Sequence, residues 1–430
     1  MTTELAQHLL MLPGMDGPGV DTVRRTRLER LREARVRDAA EVHRPAIPAP
    51  RVGRAAALAA AVGGVVQQTS QRPIVVVEWR ERIERDLAGL AWLPEPVDPA
   101  RPFVLIDTET TGLGSGTGTL PFLVGLGSWE DDVFVTRQLL LPEQSDEAGY
   151  LDALEALIPA EACLVSYNGR SFDWPLLVTR YRLHGRRPPA FGEHLDLLPL
   201  ARAIWRHRLP DARLASVETG ICGVRREHDL PGSLVPARYL DYLRSGHGAL
   251  LRVVLEHNRQ DVVSMALLLR VLAQELAPVG RTGWSSPGVH PGDLGALGRA
   301  YARKRRHQEA LACFDAAMER LSGPWEAQRY EHIAMDRARA LTRLGLRQEA
   351  EGAWQAIALE GGRHAAWAWL HVAKHREHDA ADPRAALQAA DRARALAERS
   401  RLFGQRDRHV ERDLARRLPR LRRKLAATPG

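Results

Sequence analysis

The residues best suited to chemistry stand in the stretch FVLIDTETTGLG, residues 103–114. Asp107 and Glu109 follow the apolar run Val104 to Ile106 and are two positions apart, so in a strand they point the same way. Two carboxylates side by side raise each other's proton affinity unless a cation lies between them. Either both are solvated at a sheet edge or they hold a metal. Two further acids bear on that choice. Asp173 closes YNGRSFD just after the apolar CLVSY, and strand ends followed by a loop and a helix are where sheet proteins assemble their sites. Asp261 lies in EHNRQD with His257 four residues before it, a spacing that puts imidazole and carboxylate on one helix face. Each also has a plainer reading. Asp173 could cap a helix begun by Pro175, and His257 and Asp261 could be a surface pair.

Strand patterns surround the first motif. PIVVVEW (73–79) precedes it, and the proline-punctuated PEPVDPARP (94–102) leads into it. FVLIDTE, LPFLVGLGSW and VFVTRQLLL then follow one another, separated by Gly- and Asp-rich turns. DEAGYLDALEALI has helical spacing, ACLVSYNG reads as a strand and SFDWPLLVTRYRLHG as a helix. Beyond residue 190 nearly everything reads as helix, including the long segment 249–277 that carries His257 and Asp261. Strands first and helices afterwards indicate a mixed α/β sheet covered by helices.

Residues 278–293 have linker composition, and a repeat follows. Gly298, Tyr301, Ala310, Phe314 and Ala317 recur at the same offsets as Ala338, Leu341, Ala350, Trp354 and Ile357. A looser third copy runs through Lys374, Glu377, Ala386, Ala390 and Ala393. Helix pairs of this length with small residues at the crossings resemble the tetratricopeptide repeat, with an unrelated helical bundle as the alternative. The final ARRLPRLRRKLA is strongly basic and fits either a cap on the array or a nucleic-acid contact. At the other end, residues 1–54 read as a basic helix and a proline-rich linker.

The bulk composition bounds the function. At 430 residues the chain exceeds one ordinary core. A net charge of +8 suits a phosphate-rich partner, although arginine excess equally reflects a GC-rich genome. Cys163, Cys222 and Cys313 form no CxxC pair, which argues against a disulfide framework or a cysteine zinc site. The longest apolar run, 55–66, is too short to span a bilayer, and the N-terminus has no signal-peptide pattern. A cytoplasmic location and no membrane partner are expected.

IDTETTGL, then NGRSFD, then a helical HNRQD resemble the three exonuclease motifs of the DEDD (DnaQ-like) superfamily, which has a ribonuclease H-like fold. The wider setting resembles its YprB-type branch, in which the first motif is followed by a Gly-rich turn and an apolar PFLVGLG strand, and tetratricopeptide-like repeats can trail the nuclease. The resemblance implies a ribonuclease H-like exonuclease domain at 55–277, a mixed sheet flanked by helices, and an all-α tetratricopeptide-like domain at 284–430. It implies a 3′–5′ exonuclease acting on single-stranded ends of DNA or RNA, with the repeats open to a protein partner. A catalytically inactive nucleic-acid-binding scaffold is the rival reading.

Phosphodiester hydrolysis needs an activated water, a stabilised leaving oxygen and compensation of crowded negative charge, which two divalent ions roughly 4 Å apart supply. Mg²⁺ or Mn²⁺ prefers carboxylate oxygens. The resemblance makes Asp107 the ligand shared by both ions, places Glu109 and Asp261 with the ion that activates water, and gives Asp173 the second ion. His257 would be the general base. In the family's histidine subclass the base stands five residues before the last aspartate, whereas His257 stands four before Asp261, the spacing of the tyrosine subclass. Asn258 is an alternative as a supporting donor. Thr110, Thr111, Gly112 and Leu113 correspond to positions where the family approaches the terminal nucleotide, and Asn168 and Phe172 could line the same groove. Asp196 reads as a helix cap or a further acid of the site.

Overall fold

The computed structural model describes residues 53–112, 117–226, 230–276, 279, 288–323, 326 and 329–427. Of the basic helix and linker expected at 1–54, residues 1–52 lie outside the described residues, as does Leu113, and Arg54 already opens the helix Arg54–Val62. The strands are β1 (Val65–Gln67), β2 (Ile74–Glu81), β3 (Phe103–Thr110), β4 (Pro121–Glu130), β5 (Val133–Leu140), β6 (Cys163–Ser166) and β7 (Glu193–Asp196). They form one sheet in the order β1-β2-β5-β4-β3-β6-β7. The pairs β3–β6 and β6–β7 are parallel and the others antiparallel. Two strands differ from expectation. β7 carries one apolar residue, Leu195, in four and is held by its parallel pairing to β6. β1 is only three residues long. Neither is long enough to show a period of two.

β3 is central, so its first four side chains are buried on both faces. Phe103 and Leu105 enter one core with Val262 and Met265 of the long helix Arg252–Val271. Val104 and Ile106 enter the opposite core with Leu177 and Tyr181 of the helix Asp173–Leu183. The alternation of β3 therefore assigns each helix a face, and both helices reach the end of the strand where the apolar residues give way to Asp107.

The C-terminal region is all-helical. Pro291–Arg303 pairs with His307–Glu319, Glu331–Leu344 with Arg347–Glu360, and Ala365–His378 with Pro383–Leu402, and Arg408–Ala426 closes the array. The recurring positions of the first two copies are buried. A Cβ on Gly298 would stand 2.5 Å from the Phe314 ring, so glycine is what lets those two helices cross closely. The expected linker is shorter than its composition suggests, because Pro291 already opens a helix behind His290 as its N-cap. Nor is the array a separate bead. Leu269, Leu272 and Leu276 share one apolar cluster with Leu294, Leu297 and Tyr301. Arg306 Nη1 donates to the Leu93 carbonyl at 2.7 Å. No helix among the described residues is long and apolar enough to cross a membrane.

The basic closing helix caps the array. Arg417, Arg420 and Lys424 all turn onto Glu377, a buried residue of the third copy. Burial alone would raise the Glu377 carboxyl, but these cations hold it down at about 2. Removing it leaves Arg417, itself only 6% exposed, with Asp413 as its remaining ion-pair partner, Nε donating to Oδ1 at 2.9 Å. Glu377→Ala is expected to cost about 3–5 kcal/mol, the usual penalty for breaking a buried pair from one side. In the unsubstituted chain this stabilisation is complete above the unfolded value of roughly 4.3 and is lost as pH falls toward 2. Urea denaturation of the variant at neutral pH checks the size. An unchanged midpoint would assign the anchorage to Val410, Leu414 and Leu421 alone.

Candidate metal centre

The sheet register builds the first part of the site. Asp107 on β3 stands opposite Gly125 on β4, and Gly125 stands opposite Gln138 on β5. Residues paired across strands share a face, so these three form a row beneath the long helix. Asn258 of that helix drops into the gap over Gly125. Its Nδ2 donates to Asp107 Oδ2 at 2.8 Å and to the Asp107 carbonyl at 3.2 Å, and its Oδ1 accepts from Gln138 Nε2 at 2.8 Å. Gln138 Oε1 accepts in turn from Trp79 Nε1 at 2.8 Å. The supporting-donor reading of Asn258 is thus what the geometry gives. A Cβ at position 125 would lie 2.2 Å from Asn258 Oδ1. Gly125→Ala is expected to push the amide off Asp107, costing about 1–3 kcal/mol of stability and lowering activity without altering any acid. Thermal melts alongside turnover check it, and full turnover would show that Asp107 holds its pose without Asn258.

Four acids gather around this row. Burial raises the Asp107 carboxyl well above the usual range, and the charges of Asp261, Glu109 and Asp173 push it further the same way. Asp107 therefore senses all three of the other predicted acids. Asp173 is the first residue of its helix and not the cap; Phe172 holds the N-cap position, with no side-chain capping bond. The Asp173 Oδ1 instead accepts from the Thr108 N–H at 3.1 Å and from the Thr108 hydroxyl. Burial raises the Asp173 carboxyl to about 6 despite those bonds. His257 and Asp261 are not a surface pair: their side chains are 14% and 17% exposed, and His257 Nε2 stands 3.8 Å from both Glu109 Oε1 and Asp261 Oδ2.

One participant gave no signal in the sequence. Arg226 donates to Asp261 Oδ1 and, through Nε at 2.7 Å, to Glu218, while its Nη1 stands 3.4 Å from His257 Nδ1. Glu218 is 1% exposed and also accepts from Gln260 and Ser264. Burial raises the Asp261 carboxyl, and the Arg226 guanidinium pulls the other way. Arginine beside arginine in a Gly-rich loop carries no pattern, and the partners lie 8 and 35 positions away.

The residues assigned to nucleotide contact are largely engaged with the protein itself. The Thr110 hydroxyl donates to the Gly112 carbonyl at 2.6 Å, and Thr111 closes on Leu120 through both its N–H and its hydroxyl. These bonds shape the turn after β3. Asn168 adopts φ 71°, a left-handed conformation that asparagine tolerates, and its N–H bonds Asp196 Oδ1 at 2.8 Å. Asp196 also accepts from the Leu198 N–H, so it is a helix cap that ties two loops together. Phe172 is half-buried beside Asp173.

The donor set fits a hard divalent cation. Four carboxylates converge at a strand end, and the central one is pushed toward its protonated form by burial and by its neighbours' charge. A cation bound among them would relieve both effects, and carboxylate oxygen is the ligand such ions prefer.

Residues 104–273 match the RNase_H_2 family model of the RNase_H superfamily, a span that encloses all four acids and His257. The chain is 37% identical over 179 residues to the Bacillus subtilis protein YprB, covering 40% of this chain and 43% of that one. It is 33% identical over 133 residues to three prime repair exonuclease 2 of Mus musculus, covering 29% of this chain and 49% of the relative. Among solved structures, one of exonuclease I aligns at 15% identity and a TM-score of 0.29, covering 41% of this chain and 42% of that one. The chain spans about half the length of the curated relatives it matches. The mixed sheet with its flanking helices is ribonuclease H-like, and the C-terminal region beyond it is all-helical.

Proposed function

We propose that this ribonuclease H-like unit is a divalent-metal-dependent exonuclease that removes nucleotides from single-stranded ends in the 3′–5′ direction. The observation that carries the reading is the convergence of Asp107, Glu109, Asp173 and Asp261 from three separate elements, with the Asp107 proton affinity raised by all the others. Likeness to a family model of the RNase_H superfamily and to a three prime repair exonuclease supports the same reaction class. In this reading the trailing helices are a tetratricopeptide-like array that presents the nuclease to a protein partner.

Mg²⁺ or Mn²⁺ held as a pair by these acids would lower the pKa of the attacking water and neutralise charge on the leaving oxygen. Asp107 is fixed by Asn258 so that one oxygen is braced and the other is free to ligate. The backbone and hydroxyl of Thr108 orient Asp173 in the same way. Glu109 and Asp261 flank His257 Nε2, so a proton taken up at that nitrogen would be stabilised by two carboxylates. Arg226 sets a condition on that step. While its guanidinium faces Nδ1, the neutral ring keeps a lone pair there and its hydrogen on Nε2. His257 accepts a proton at Nε2 only after Arg226 withdraws, and Arg226 is also the group that a cation at Asp261 would displace.

The test is a time course on end-labelled single-stranded DNA and RNA with Mg²⁺ or Mn²⁺, with label at either end. Stepwise loss from the 3′ end is expected, abolished by chelator. Tight binding of the strand with no cleavage under any of these conditions would instead favour an inactive scaffold.

A further inference from the structure

We propose a second metal site, built by His207, His290 and Asp293 at the joint between the nuclease unit and the helical array, which takes a borderline transition ion such as Zn²⁺. One ligand atom from each of the three residues lies within 4.8 Å of the other two. His207 follows the sheet-side helix Leu197–Trp205, whereas His290 and Asp293 open the first helix of the array. The site therefore links segments far apart in the chain.

Three features prepare it. His207 Nδ1 donates to the Ile204 carbonyl at 3.0 Å, which leaves the lone pair on Nε2, the arrangement that orients a metal-bound imidazole. That Nε2 is buried, has no hydrogen-bond partner among the described residues, and stands 3.3 Å from Asp293 Oδ1. A buried lone pair facing a carboxylate is unfavourable unless a cation comes between them. Next, Gly292 keeps the space before Nε2 open, since a Cβ there would lie 2.3 Å from it. Finally, Asp293 is 3% exposed and gripped by Arg208 at both oxygens, Nε donating to Oδ1 at 3.0 Å and Nη2 to Oδ2 at 2.7 Å. Because Arg208 already neutralises Asp293, the two imidazoles carry most of the affinity, and His290 gives the ion the Nδ1 lone pair that otherwise accepts from the Gly292 N–H at 3.0 Å, so that cap opens as the ion binds. Imidazole ligation selects against Mg²⁺, which wants oxygen, and leaves a fourth position for water. An ion here would staple the array to the nuclease unit beside their shared apolar cluster.

The experiment uses the full chain carrying Asp107→Asn, stripped of metal and held in excess Mg²⁺, so that the carboxylate centre does not compete. Zn²⁺ binding is followed by calorimetry, and Co²⁺ binding by the visible absorption that tetrahedral nitrogen ligation gives. One ion per chain and a raised melting temperature are expected. His207→Ala should weaken binding roughly 100-fold or more, beyond what loss of a supporting contact costs. His290→Ser should do the same while keeping an oxygen to cap the Gly292 N–H, so folding is preserved. No ion bound in excess Mg²⁺, or binding unchanged by His290→Ser, would overturn the proposal and leave His207 and Asp293 as a metal-free pair. Since the carboxylate centre is disabled throughout, that failure would leave the nuclease reading untouched.

Discussion

Asp107→Asn is expected to abolish cleavage and, in the absence of divalent ions, to make the protein more stable. The two effects have one cause. The Asp107 carboxyl is driven above the usual range by burial first and then by Asp261, Glu109 and Asp173, so its charge at neutral pH destabilises the metal-free fold. Asparagine keeps the shape and can still accept from Asn258 Nδ2. It removes the charge that would hold both cations, at an expected loss of about 10³-fold or more in turnover, as several kcal/mol of metal-derived stabilisation implies. The stability gain should be seen in chelator and should reverse when Mg²⁺ or Mn²⁺ is added.

The pH dependence has a definite sign. With Asp173 raised to about 6 from an ordinary value of 3.8, the folded chain binds more protons than the unfolded one between those values. Stability in chelator therefore falls as pH rises through that window, and the penalty is complete above it. Asp107 and Asp261 are shifted in the same direction. Melting temperature in chelator should be higher near pH 5 than near pH 7, and added divalent ion should flatten the difference. A melting temperature that rises with pH in chelator would mean that the acids are already compensated, by Arg226 or otherwise, and that no cation is needed to balance them.

The chemistry was legible where it depends on neighbours along the chain. Asp107 and Glu109 share a face because strands repeat every two residues, and His257 and Asp261 share one because helices bring i and i+4 together. Even the departure in histidine spacing is local. What no local rule reveals is the charge and hydrogen-bond support. Glu218, Arg226 and Asp261 meet across a loop, and Gln138 reaches Asn258 over 120 positions. Gly125 is one of two glycines in the apolar strand β4; only the three-strand row and the helix above it show why a side chain there is excluded. The closing helix teaches the same lesson for charge. Its arginines suggested phosphate as readily as protein, and a single buried glutamate, Glu377, in the preceding helix pair decides where three of its cations go.

His257→Ala is the variant that tests the histidine spacing. Turnover should fall roughly 10²- to 10⁴-fold, the usual range for loss of a general base, while divalent-ion affinity and KM change little. If His257 is the base, four residues suffice because Nε2 lies equidistant from Glu109 and Asp261, at 3.8 Å from each, so the ring points into the acid cluster from one helical turn before the last aspartate. A phenol at the same position would extend in the same direction, and His257→Tyr should restore part of the lost turnover. If Ala and Tyr variants both retain near-normal turnover, His257 serves only to hold Arg226 through Nδ1, and the water must be oriented by Glu109.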